Sequence, residues 1–244
     1  MRATRFGAAA MMLLTLALCA LFVRLGLWQW HRWQAADAAW TRFARGADAL
    51  EPLGTRSLGE VARFQRVSLS GTLDGAHQFL IDNRSYRGSP GYEVLTPLTR
   101  VDGRVLLVDR GWVPFTGSRA QLPDVRLAEP GTVILTGRVA DLPSAGLASG
   151  RAAPAARDPW PKVTGFPTLA ELAAALGGPL ESRILLLDPG APFGFVRDWQ
   201  PPGMAPLRHL SYALQWWCFA ALAVVLWAIF AVRRARAPRA RRAP

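Results

Sequence analysis

Three ring-bearing polar side chains stand close together in Arg208-His209-Leu210-Ser211-Tyr212-Ala213-Leu214-Gln215-Trp216-Trp217. On a helical period, positions 209 and 216 differ by roughly 20° in direction and about 10 Å along the axis, with 212 between them. The imidazole of His209, the phenol of Tyr212 and the indole of Trp216 thus line one stripe. A neutral imidazole is a good ligand for haem iron, and a surround of Trp, Tyr and apolar side chains suits a porphyrin. A plainer reading makes His209 an interfacial polar residue at a helix start, with Trp216 and Trp217 facing lipid. The depth of Trp216, near two turns in, weighs against it.

The elements that must position this stripe are apolar. From Leu210 to Val232 there are 23 residues without a charge, enough to cross a bilayer as a helix. A polar group at one end of such a helix is costly unless something pairs with it. Near the other terminus, Phe6 to Val23 gives 18 uncharged residues between Arg2 and Arg5 on one side and Arg24 on the other. No small-residue cleavage site follows, so it reads as an uncleaved signal anchor. We draw the spans at 6–28 and 208–232. Six arginines in the tail 233–244 favour the cytoplasmic side, which puts both termini inside and the segment between the spans outside. Arg24 counts against this for the first span. His31 and His209 then lie at the same leaflet.

The formal charge of +12 is concentrated at these flanks, because residues 29–208 carry 20 basic and all 17 acidic residues. That distribution excludes a nucleic-acid reading of the high isoelectric point. Both cysteines, Cys19 and Cys218, fall in the spans. The outer domain therefore has neither disulfides nor a thiolate site.

Between the spans, Trp28, Trp30 and Trp33 suit the headgroup layer. Residues 29–63 form a juxtamembrane segment whose Ala-rich part, 34–50, continues the helix until Pro52 and Gly54 stop it. Residues 64–207 read as a β-rich domain, an antiparallel sheet or small barrel. Val67, Leu69 and Leu73 alternate with polar residues, and further apolar runs cover 77–82, 92–99, 104–113, 132–139 and 183–187. Gly88-Ser89-Pro90-Gly91 and Asp102-Gly103 are turn signals, the second a two-residue hairpin. Residues 143–161 form a loop of low complexity. Thr168 and Glu171 make a capping box for a helix ending at Gly177-Gly178. The fold class is a membrane protein with two transmembrane helices flanking one β-rich (α+β) extracytoplasmic domain.

That domain offers little for catalysis. Gly-x-Ser-x-Gly is absent, no phosphate-cradling loop follows a strand, and His77 stands without a second His or a Cys. Asp74, Asp82, Asp102 and Asp109 sit in or beside strands and turns, where solvated or Arg-paired carboxylates are usual. The expectation is a protein that is not an enzyme.

Four blocks carry a resemblance to a known family. They are Gly26-Leu27-Trp28-Gln29-Trp30-His31-Arg32; Asn83-Arg84 with Gly91-Tyr92-Glu93-Val94-Leu95-Thr96-Pro97-Leu98; Val105-Leu106-Leu107-Val108-Asp109-Arg110-Gly111-Trp112-Val113-Pro114; and His209 to Trp217. In this order, between two spans, they resemble the Surfeit locus protein 1 family, membrane assembly factors of haem–copper cytochrome c oxidase. Residues 143–182 depart from the pattern and carry nothing over. The resemblance implies a bacterial inner-membrane, multi-pass protein with a periplasmic domain that helps to mature the oxidase core subunit. It implies transient binding of haem a at His209 and Trp216, with haem a delivery proteins and membrane lipids as further partners. Tyr212 would shield the ring, and His31 is a candidate second ligand. Arg110-Gly111-Trp112 reads as structural, although Arg84 and Arg110 could instead meet haem propionates. The alternative is an assembly scaffold that makes no contact with haem.

Overall fold

The computed structural model describes residues 2–46, 49–127, 131–143, 152–201 and 203–236. Residues 144–151 of the low-complexity loop and 237–244 of the basic tail lie outside the described residues. The chain forms two compact units, one of residues 1–41 and 201–244, the other of residues 42–200.

The first unit is a helix pair. Helix α1 covers Arg2–Arg45 and helix α3 covers Pro206–Arg236, the shorter α2 belonging to the other unit. Both are long and apolar enough to cross a membrane, and almost none of their apolar surface is buried. Leu13, Leu14, Leu222, Val224 and Leu226 are all exposed. A soluble protein does not leave a continuous surface of that kind in water, so the two helices are membrane spans.

The second unit holds eight strands: β1 (Leu50–Pro52), β2 (Arg66–Leu73), β3 (Phe79–Tyr86), β4 (Ser89–Arg100), β5 (Val105–Pro114), β6 (Thr132–Ala140), β7 (Lys162–Thr164) and β8 (Ile184–Leu187). Their order is β1-β2-β6-β8-β5-β4-β3-β7, and β2 pairs also with β4. That extra pairing closes β2, β6, β8, β5 and β4 into a barrel-like ring, which removes the edges those strands would expose. Alternation along the strands fills it: Val67, Leu69 and Leu73 meet Leu98, Leu106, Val108, Leu135, Val139, Leu185 and Leu187. The other face of β5, through Leu107, packs with Phe79, Ile81, Leu95 and Leu172. Because β5 is covered on both faces, its first four residues, Val105–Val108, are all apolar.

Several boundaries differ from the sequence reading, for local reasons. Helix α1 ends at Arg45, short of Pro52 and Gly54, where Gly46 donates to Arg42 O. Any Cβ at Gly46 would overlap the carbonyl of Phe64. The β3–β4 turn is Arg87-Gly88, both at positive φ, and Ser89-Pro90-Gly91 belongs to β4. Strand β3 begins at Phe79 and runs on to Tyr86 through an irregularity between Ile81 and Arg84, with Asn83 at φ 59°. The three-residue strands β1 and β7 are too short to leave a periodic signal. Helix α2, Leu169–Leu176, has the expected capping box of Thr168 and Glu171 and ends on Gly177 at φ 76°.

Candidate functional site

Within the helix pair, a seam forms on a spacing of three and four. From α1 it takes Cys19, Phe22, Gly26 and Gln29; from α3 it takes His209, Ala213, Trp216 and Ala220. This spacing puts one stripe of each helix on its neighbour. The pairings run antiparallel: Cys19 Sγ lies 3.6 Å from Ala220 O, the Phe22 and Trp216 rings stack at 5.8 Å, and Gln29 meets His209. Gly26 permits the close approach, since a Cβ there would overlap the Trp217 indole. Trp30 packs on Trp33 at 4.5 Å and on Trp217 at 6.0 Å. Two of the three tryptophans assigned to the headgroup layer therefore also build the seam, and only Trp28 is largely exposed.

His209 is 8% exposed, a buried polar side chain between the two helices. Its Nδ1 lies 2.9 Å from Gln29 Oε1. An amide oxygen only accepts, so in this arrangement the imidazole Nδ1–H donates. Nε2 makes no hydrogen bond among the described residues. Trp216 is half-buried with one face on Phe22, and Tyr212, 46% exposed, lies on the flank of the seam. About 60° of rotation separates Tyr212 from His209 and about 40° separates it from Trp216, so the three share one side of α3. His31 is exposed. It is displaced by roughly 160° around α1 from Gln29, on the far side of that helix from the contact with His209. The structure brings His209 and Trp216 to one seam, sets Tyr212 beside them, and leaves His31 apart.

Sequence reasoning passed over Gln29 and Phe22 as members of this site. The spacing Phe22, Gly26, Gln29 was the available signal. Between two all-apolar spans, however, it could not say which face met the partner.

The polar residues of the β unit turn inward. At one end of the ring, Arg100 Nη1 lies 3.0 Å from Glu181 Oε1 and donates to Arg56 O, while Glu181 accepts from Leu58 N. Further along β5, Arg110 donates to Gln78 Oε1 at 2.7 Å and to Phe193 O at 2.6 Å, and stands over the Phe195 ring. Its burial, with Arg197 nearby, lowers the guanidinium to about 10. At 3% exposure and held this way, Arg110 does not face anything outside the unit. The suggestion that it meets propionates fails on that ground. Arg84 is paired with Glu93, Nε to Oε2 at 3.0 Å, though off-line for a hydrogen bond. On the same side, Asp109 accepts from Gly111 N–H. Burial first, then Glu93, pushes the Asp109 carboxyl well above the usual range, and burial raises Glu93 as well. Gly111, at φ 108°, lies where a Cβ would press on Val196 O, and Trp112 covers Gly91. His77 is held by Asp74 at 2.6 Å on the surface.

Two membrane spans joined by a polar contact, carrying a barrel-like β unit with a plugged interior, define a class of membrane-anchored β protein. The comparison with known families makes this specific: the SURF1 family matches residues 16–221. The chain belongs to that family. It is 32% identical over 183 residues to uncharacterized SURF1-like proteins of Mycobacterium bovis and Mycobacterium tuberculosis, covering 75% of this chain and 65% of each relative. The chain thus spans less than two thirds of the length of those relatives.

Proposed function

We propose that the protein is a biogenesis factor for a haem–copper cytochrome c oxidase that holds haem a at His209 and assists its insertion into the oxidase core subunit. Membership of the SURF1 family supports the assembly role. The haem step rests on this chain's own residues, and one observation carries it: His209 Nδ1 is engaged by Gln29 Oε1 at 2.9 Å. Metal-binding histidines commonly have their other ring nitrogen held in this way.

The residues fit the group. Bound haem a would supply an iron that takes an imidazole nitrogen and a flat, largely apolar macrocycle. His209 would ligate through Nε2, with Tyr212 and Trp216 on the same side of α3 to cover the ring. His31, on the far side of α1, does not complete the coordination in this arrangement. A single histidine at a membrane edge suits a carrier, which must release what it holds. The arginine-rich end of α3 favours the cytoplasmic side, which supports a reading with His209 and the β unit on the periplasmic side of a bacterial inner membrane. Haem a delivery proteins and the core subunit are the partners this role requires, and the role is not enzymatic.

The test is the absorption spectrum of the protein purified from cells that make haem a. The expected result is a haem band that is lost in His209→Ala and kept in His31→Ala. A wild-type protein without the band sinks the haem reading. The stacking of Trp216 on Phe22 favours a second reading, in which the seam is purely structural and the protein is an assembly scaffold. In that case His209→Ala leaves oxidase levels intact, whereas disrupting 110–114 lowers them.

A further inference from the structure

We infer that Gln29 is the positioning residue of the His209 site, holding the imidazole in the tautomer that leaves Nε2 bare for a metal. The identity of the metal group rests on the haem reading above, but the tautomer does not. A neutral imidazole carries one N–H, and which nitrogen bears it is set by the partner of the other. Gln29 Oε1, 2.9 Å from Nδ1, demands the proton there, so the lone pair belongs to Nε2. A reversed amide would donate to Nδ1, place the proton on Nε2 and close the site to metal.

The contact is fixed from both sides. One turn from Gln29, Gly26 lets the Trp217 indole lie against the α1 backbone, and Trp30 packs on that same indole. Two turns from His209, Trp216 stacks on Phe22. These contacts set the helix register, so the amide meets the imidazole without either side chain having to search. Buried between the two helices, His209 has Gln29 as its one hydrogen-bond partner among the described residues.

The experiment uses the full chain in nanodiscs, free of haem, labelled with ¹⁵N at the rings of its three histidines. His209 is assigned by substitution. The expected spectrum has Nδ1 protonated and Nε2 unprotonated. Gln29→Ala should give a mixture of tautomers, and Gln29→Glu, whose carboxylate also only accepts, should restore the wild-type pattern. Protonated Nε2 in the wild type, or an unchanged pattern in Gln29→Ala, overturns the inference. Haem is then titrated into the same samples. Gln29→Ala should bind about 10–100-fold more weakly, with recovery in Gln29→Glu. Equal affinity in wild type and Gln29→Ala also overturns the inference. If the tautomers behave as expected while the wild type binds no haem, the positioning role stands and the haem reading alone falls.

Discussion

The helix pair and the β unit treat polar side chains in opposite ways. In the β unit, Arg100 with Glu181, and Arg110 with Gln78 and Thr96, form two buried clusters whose hydrogen bonds end on one another or on backbone groups. These groups hold loops to the ring through hydrogen bonds made inside the unit, whereas Arg84, beside Glu93, keeps Nε and Nη2 without one. In the helix pair the buried residue His209 is paired on one ring nitrogen and makes no hydrogen bond on the other among the described residues. A satisfied network specifies a fold. A half-satisfied imidazole in an apolar span points to function.

The contrast can be broken most forcefully at the ring. Glu181→Ala removes one of the two carboxylates on the buried Arg100 guanidinium, Asp102 remaining at 3.1 Å, and leaves Leu58 N–H without its acceptor, and should destabilise the β unit by about 1.5–3 kcal/mol. Denaturant unfolding of the full chain in detergent measures this. His209→Ala in the same assay should cost no more than about 1 kcal/mol, the scale of one interhelical hydrogen bond in a membrane. Equal losses would erase the distinction between the regions.

A second perturbation acts on the seam alone. Gly26→Leu forces the Trp217 indole away from α1 and should cost roughly 1–3 kcal/mol of helix-pair stability, the usual scale of overpacking. The distance between spin labels on the two helices should increase, while the unfolding midpoint of the β unit stays where it was. A shift of that midpoint would show that the units are not independent in stability.

The smallest effect sharpens the comparison through pH. Asp109 and Glu93 share the single cation Arg84, and burial holds both carboxyls above their ordinary range. The folded β unit therefore binds more protons than the unfolded chain across that interval. The sign follows: the contribution of these two groups to stability is greatest below the ordinary carboxylate range and falls as pH rises toward the folded values. Asp109→Asn removes the larger part of this dependence, so the variant should gain in melting temperature over wild type as pH is raised from about 5 to 8. A difference between variant and wild type that stays constant over that interval would contradict the raised carboxyl of Asp109.

Much of the fold was legible because each signal was local. The apolar spans, the alternation of Val67, Leu69 and Leu73, the Asp102-Gly103 turn and the Thr168 box each declare themselves within a few residues. A small barrel was one of the two readings open, but the strands β1 and β7, and the choice of β2 and β4 as the pair that closes the ring, were not legible, since these pairings depend on residues far apart in the chain. At the site, the stripe of His209 and Trp216 followed from helical period. Gln29 did not, because its role exists only once α1 lies against α3.

By itself the sequence determined the two spans, the β-rich class of the segment between them, and the presence of an imidazole near the mouth of a helix. Those properties follow from hydrophobicity and period, which a chain carries wherever it goes. Tertiary structure alone decided that Arg110 faces inward, that His31 stands apart from His209, and that Gln29 meets its Nδ1. Each of these is a matter of which face of an element meets which neighbour, and that is settled by packing across distances that local chemistry does not reach.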